Sequence, residues 1–404
     1  MIVGHVGVSV FPPLLSRRGG AIQRRIIELA RAQRAAGHQV IAVSVGEATG
    51  SVDHHGVQVE LLRCWSGLPL RHLEFQARAV ELLLRRGAEL IHFHSQPEGA
   101  RFVRGRVPTV LSYDDYLFRG AAGRLFHGWY RDALARFDRL LPCSGYCRDT
   151  SSQYWGLPDA RTHVLHNGVD LAQFAPDPAA RARMRTRLGL DGPTLLYVGR
   201  VCEQKGSDLL LEAFAALRGR RPELRLVVAG PIGQFDQRGD PEGWRGRLAR
   251  AGARYLGPVE EAELAAVYNA ADLFVMPTRR WEMFGMAAVE AQACGVPVVA
   301  SDGGGLRETV PAGCGLRFEP GSADALVEAV QHLLADEDLR RRLGEEAHRQ
   351  AARFGWGEIA RRADAIYQTA GAARLHWSTV GATAAQVAPV PSPAPPSTLR
   401  GKPC

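Results

Sequence analysis

Two carboxylates eight positions apart, Glu282 and Glu290, stand in the most informative stretch of the chain, ADLFVMPTRRWEMFGMAAVEAQACGVPVVASDGGGLRETV (271–310). On one continuous helix that offset leaves two side chains about 80° apart. Phe284–Gly285 is expected to break the continuity. Glu282 then comes from a loop, 277–285, and Glu290 from an apolar helical stretch, 286–294, which Gly295 stops. Between them lies a helix N-terminus with free N–H groups at Gly285, Met286 and Ala287, a place for a phosphate or sugar oxygen. Carboxylates accept from sugar hydroxyls, while N–H groups and cations take phosphates. The pattern suits a ligand that is both polyhydroxylated and phosphorylated.

Two cations stand upstream in TLLYVGRVCEQKG (194–206). A strand ends at Val198, a Gly turn follows, and Gly206 precedes an amphipathic helix, 207–218. Arg200 and Lys205 lie on this connection, and in a doubly wound sheet such loops face the ligand crevice. Lysine occurs only at 205 and 402 among 50 basic residues. Where Arg is the default cation, a retained Lys suits a site that wants a compact point charge.

With its flanks and in this order, the stretch resembles the E-x7-E region of retaining glycosyltransferases of the family 4 type with the two-domain GT-B fold. The resemblance covers roughly residues 1–370 and is densest from 166 to 310. It implies an α/β chain of two Rossmann-like, doubly wound domains facing a central cleft. The expected division is 1–170 for the acceptor side and 171–355 for the nucleotide sugar. A helix, 356–376, then crosses back, and an Ala/Pro-rich tail, 377–404, has no core-forming capacity. The crossovers are HNGVD (166–170) and Phe354–Trp356.

The resemblance also implies roles. Glu290 binds the donor ribose, and Glu282 contacts the transferred sugar, helped by N–H groups of Phe284, Gly285, Met286 and Ala287. Arg200 and Lys205 take the diphosphate. Tyr255 and Leu256, in the 255–257 segment, seat the nucleobase. The Gly19–Gly20 turn faces the diphosphate and acceptor. Two positions depart from the family pattern: Asp114 replaces a common His, and Met283 replaces a Pro. Asp114 is a candidate for a donor or acceptor hydroxyl, with Asp115 its competitor and an Arg pairing the structural alternative. Glycosyl transfer expels a nucleoside diphosphate, so preplaced cations and N–H groups stabilise the growing charge, each by about 2.7–4 kcal/mol. No D-x-D pair stands at a strand end. The expectation is leaving-group stabilisation without a metal or other cofactor, the nucleotide sugar being a co-substrate.

Composition bounds the rest. The chain has 404 residues, a net charge of +8 and 46% hydrophobic residues, which fits two globular domains. No apolar run reaches membrane-span length, and the N-terminus reads as a first strand rather than a signal peptide. A cytoplasmic protein is expected. Seven scattered cysteines read as free thiols without metal-site spacing. Strands are expected near 2–10, 39–45, 57–62, 89–93 and 224–230. Helices are expected near 21–35, 71–86, 122–137, 322–335, 337–351 and 357–370. On the first helix Ile22, Ile26 and Leu29 face the core and Arg24, Arg25, Arg31 and Arg34 the other side. That side is either a solvated face or a contact with anionic lipid at a membrane's inner surface. His92 and His94 share one strand face, with no third ligand suggested nearby, so they read as satisfied strand-end histidines.

The expected activity is transfer of a sugar from a nucleotide sugar to a hydroxyl acceptor. A GT-B epimerase, hydrolase or phosphorylase is the enzymatic alternative, and a nucleotide-binding relic the non-enzymatic one. Nicotinamide chemistry lacks its full Gly fingerprint, and Glu47 is a poor ribose acid. Nucleic-acid binding lacks a stripe of basic and aromatic residues.

Overall fold

The computed structural model describes residues 1–7, 21–67, 70–114, 127–233, 240–279 and 281–372. Gly19, Gly20, Asp115 and the tail therefore lie outside the described residues, as do parts of the first strand and of the helix expected near 122–137.

Two sheets carry the described chain. The first contains β1 (Ile2–Val6), β2 (Gln39–Val45), β3 (Gly50–His54), β4 (Val57–Leu62), β5 (Leu90–His94), β6 (Thr109–Tyr113) and β7 (Arg139–Pro142). Their order is β3-β4-β2-β1-β5-β6-β7, parallel except for β3, which pairs antiparallel with β4. The second contains β8 (Thr194–Val198), β9 (Arg225–Ala229), β10 (Arg254–Gly257), β11 (Leu273–Met276), β12 (Val298–Ser301) and β13 (Gly315–Phe318). Its order is β10-β9-β8-β11-β12-β13, all parallel. Setting β3 aside, both sheets follow the doubly wound order 3-2-1-4-5-6. In that order the chain reverses direction between β1 and β5 and again between β8 and β11, and ligands bind at such switch points.

The helices around the first sheet are α1 (Ala21–Ala35), α2 (Leu70–Arg85), α3 (Ala100–Val103), α4 (His127–Ala135) and α5 (Gly145–Trp155). Around the second are α6 (Pro178–Leu188), α7 (Ser207–Arg220), α8 (Pro241–Ala251), α9 (Glu261–Asn269), α10 (Met286–Ala293), α11 (Leu306–Thr309), α12 (Ala323–Ala335) and α13 (Glu337–Ala351). Central strands such as β2, β5, β11 and β12 are buried on both faces, as parallel strands between helix layers must be. A final helix, α14 (Trp356–Ala372), packs against α1 and β6 of the first sheet.

The two crossings between sheets run side by side. Val169 N donates to Phe354 O at 2.8 Å, and a Cβ on Gly168 would lie 2.3 Å from the Trp356 ring. Only glycine lets the chains approach this closely. Ile359, Ala360, Ala363 and Tyr367 of α14 then join Val3, Leu29, Val110 and Leu141 in a core of the first sheet.

The basic face expected on α1 is corrected. Arg31 and Arg34 are exposed, but Arg25 is 5% exposed and Arg24 turns into the cleft. A helix wheel assumes one packing surface, whereas α1 is also covered by α14 and by the second sheet's side of the molecule. With Arg24 and Arg25 withdrawn and Arg31 paired to Glu28 at 2.9 Å, the four arginines do not present one common exposed face. No described helix is long and apolar enough to cross a membrane.

Candidate active site

The loops after β8 and β11 meet at the switch point of the second sheet. A Cβ on Gly206 would sit 1.8 Å from Pro277 O, so this glycine, at φ +72°, lets them close on each other. Their contact brings Lys205 Nζ to 2.6 Å from Glu282 Oε2, both side chains about a quarter exposed. Arg200 lies on the same loop, its carbonyl accepting from Tyr197 Oη at 2.6 Å.

Glu282 comes from the loop and Glu290 from α10, as their spacing suggests. Gly285 caps α10 at φ +94°, where a Cβ would strike Leu306. Phe284 is buried. The N–H groups of Gly285, Met286 and Ala287 find no acceptor among the described residues, so the helix end offers donors to a ligand. Tyr255 donates from its hydroxyl to Gly230 O at 2.9 Å. Beside it the ladder to β9 skips a residue between Tyr255 and Gly257. Leu256 is the bulged residue, its backbone released from the sheet edge, which suits the seating of a planar base.

Glu290 is the least expected of the group. It is 3% exposed, with Oε2 accepting from Tyr268 Oη at 2.8 Å and Oε1 lying 3.2 Å from Arg24 Nη1. Burial lifts its pKa, opposed by Arg24 and Tyr268. Arg24 also reaches Glu261 at 3.3 Å, so it crosses the cleft to two carboxylates. Sequence reading missed Arg24 and Tyr268 as its partners.

Asp114 directly follows β6 and takes the Arg pairing. Its Oδ1 accepts from Arg25 Nη1 and from Asn167 Nδ2, and Arg25 also donates to Asn167 Oδ1 at 2.9 Å. Asn167, read from sequence as a turn former, thus ties the crossover to this pair.

The histidine reading needs one correction, because a third ring is present. Parallel pairing sets His5 of β1 opposite His92 of β5, and the potential ligand atoms of His5, His92 and His94 lie within 4.8 Å of one another. Nearly all their capacity is used. His5 Nε2 donates to Gln33 Oε1 at 2.8 Å, and His94 Nε2 donates to His5 Nδ1 at 3.0 Å. His92 sits between the hydroxyls of Tyr367 and Ser112, each at 2.7 Å. Only His94 Nδ1 lacks a partner. The cluster therefore holds neutral rings that bind α1 and α14 to the sheet.

Burial pushes the His5 pKa from 6.5 to about 4, aided by the Arg25 charge and opposed by Gln33. Burial also holds His92 and His94 well below the usual range. The unfolded chain binds protons that the folded cluster refuses. Stability is thus full above the ordinary value and falls as pH drops below it. The slope is about 1.4 kcal/mol per pH unit per histidine, and His5 ceases to contribute below its folded value. The urea midpoint should fall between pH 7.5 and 5, and His92→Gln should flatten the slope. An unchanged midpoint would contradict neutral burial.

Two doubly wound domains with cations, carboxylates and a free helix end at facing crevices define an α/β protein of the GT-B class. The comparisons agree. Residues 19–173 match the model of Glycosyltransferase Family 4, and residues 180–350 that of Glycosyl transferases group 1. D-inositol 3-phosphate glycosyltransferase 1 of Catenulispora acidiphila is 38% identical over 247 residues, 59% of this chain and 58% of that protein. The D-inositol 3-phosphate glycosyltransferase of Thermobispora bispora is 39% identical over 228 residues, 54% of this chain and 53% of that protein. The match thus spans little more than half the length of these relatives. Sucrose-phosphate synthase from Thermosynechococcus elongatus has the same fold, with a TM-score of 0.73 and 24% identity over 92% of this chain and 99% of that one. HepE of Anabaena, solved with UDP-glucose, gives a TM-score of 0.74 and 22% identity over 92% and 100%. The chain belongs to the group 1/family 4 glycosyltransferases of GT-B fold.

Proposed function

We propose that the protein is a retaining glycosyltransferase that moves a sugar from a nucleoside-diphosphate sugar to a hydroxylated acceptor, without a metal. The observation that carries this reading is the 2.6 Å contact between Lys205 and Glu282 at the switch point, beside the free N–H groups of α10. The diphosphate lies against Lys205, Arg200 and those N–H groups. Glu282 receives a hydroxyl of the transferred sugar, and Glu290 shares its carboxylate with the ribose. Leu256 seats the base. The structure of HepE with UDP-glucose, on the same fold, supports this donor class.

Same-face transfer fits the chemistry of the first domain. Asp114 Oδ1 is already taken by Arg25 and Asn167, so the leaving phosphate is the group that takes the acceptor proton in this reading. The acceptor to test first is a phosphorylated cyclitol, the class named in the relatives. A thermal-shift panel of sugar nucleotides checks the donor, since a ligand at a hundredfold excess over Kd stabilises by about 2.7 kcal/mol. One or two sugar nucleotides should raise Tm, and acceptor should be needed for turnover. Rapid sugar release without acceptor would favour a hydrolase, and no shift with any donor would contradict the reading.

A further inference from the structure

The N-terminus of α5, in the first domain, is docked on the loop that carries Glu282 in the second. Ser144 caps α5, its Oγ accepting from Cys147 N at 2.9 Å. The same hydroxyl donates to Met283 O at 2.6 Å, the carbonyl directly after Glu282. The next two amides, Gly145 N and Tyr146 N, donate to the two carboxylate oxygens of Glu308, each at 3.0 Å. His166 Nε2 lies 3.3 Å from the same carboxylate. An anion at a helix N-terminus is a favourable pairing.

Glu308 sits on α11, directly after the 303–305 turn, and that turn grips the Glu282 backbone. Gly305 N donates to Glu282 O at 2.7 Å. A Cβ on Gly304 would lie 2.4 Å from Glu282 O, and one on Gly305 2.1 Å from Met283 O. One helix end of the first domain therefore touches both supports of Glu282: the Met283 carbonyl through Ser144, and the gripping turn through Glu308.

We propose that Ser144 and Glu308 are positioning residues that couple domain closure to the alignment of Glu282. Opening the cleft undocks α5 and leaves the Glu282 loop held from one side. Closure restores the second support and presents the carboxylate to the sugar. A nucleotide can then bind the second domain in either state, while transfer proceeds only in the closed one. The inference rests on the proposed role of Glu282.

The test uses Ser144→Gly, Ser144→Thr and Glu308→Ala in the full chain. Glycine removes the hydroxyl at little cost to the cap, and threonine keeps it. The measurements are kcat, nucleoside-diphosphate Kd with UDP, GDP and ADP in turn, and the melting curve. Ser144→Gly and Glu308→Ala should lower kcat between about 10- and 100-fold, the range for a misplaced catalytic group, with Kd within about twofold of wild type. Ser144→Thr should recover most of kcat. Unchanged kcat in both variants, or a parallel loss of nucleotide affinity, would overturn the coupling. If Ser144→Gly does not fold, Glu308→Ala decides alone. Wild type that binds none of the three nucleotides would instead sink the donor assignment.

Discussion

Replacing Lys205 with alanine lowers kcat/KM for glycosyl transfer by about 10²–10³-fold, the cost of removing one preorganised donor from a developing oxyanion. The size of the effect follows from geometry. Lys205 closes the short turn Glu203–Lys205, with Gly206 seated on Pro277 O, so the backbone behind it cannot retreat. Glu282 at 2.6 Å fixes where Nζ points. A charge placed this way needs little reorganisation when negative charge reaches the leaving phosphate. Arginine restores activity only in part, because a planar fork cannot occupy the same point. The check is steady-state kinetics with a nucleoside-diphosphate titration. Loss within threefold of wild type would mean that the diphosphate lies elsewhere.

Replacing Glu290 with alanine raises the donor KM by about 10²-fold or more, because hydrogen bonds to a charged group contribute about 1.5–3 kcal/mol each. It also changes stability in two opposing ways. Tyr268 Oη loses its acceptor in a buried site, which costs about 1–3 kcal/mol. Removal of a carboxylate that burial already disfavours offsets part of that loss. Tyr268→Phe separates the terms. It removes the hydroxyl and leaves the carboxylate with Arg24, so its donor KM should move far less than that of Glu290→Ala. Melting curves and kinetics of the two variants check this, and equal donor KM for both would contradict the ribose role of Glu290.

What was legible in the sequence was local. The strand–glycine–cation run at 194–206 and the break at Phe284–Gly285 are written in adjacent residues, and the loops they predict are found. Helices α6 and α8 went unread although their signal was present. Each begins with an Asp cap followed by Pro, Asp177–Pro178 and Asp240–Pro241. Strand β4 stands where one was expected, near 57–62, but its antiparallel partner β3, joined to it through His55–Gly56, was missed for want of a strong apolar alternation in 50–54.

What was illegible was pairing at long range. His5 joins His92 only through the register of two parallel strands. Arg24 and Arg25 look like surface residues on a wheel, because nothing local announces that the second domain and Asp114 lie on that side. Ser144 and Glu308 each look like ordinary helix-end residues until the domains are brought together.

The most direct test of the account is a crystal structure with a bound nucleoside diphosphate. The account predicts the pyrophosphate within hydrogen-bond reach of Lys205 Nζ and the Met286 and Ala287 amides, with the ribose hydroxyls on Glu290. A diphosphate bound outside the crevice at the ends of β8 and β11, or a ribose turned away from Glu290, would contradict it.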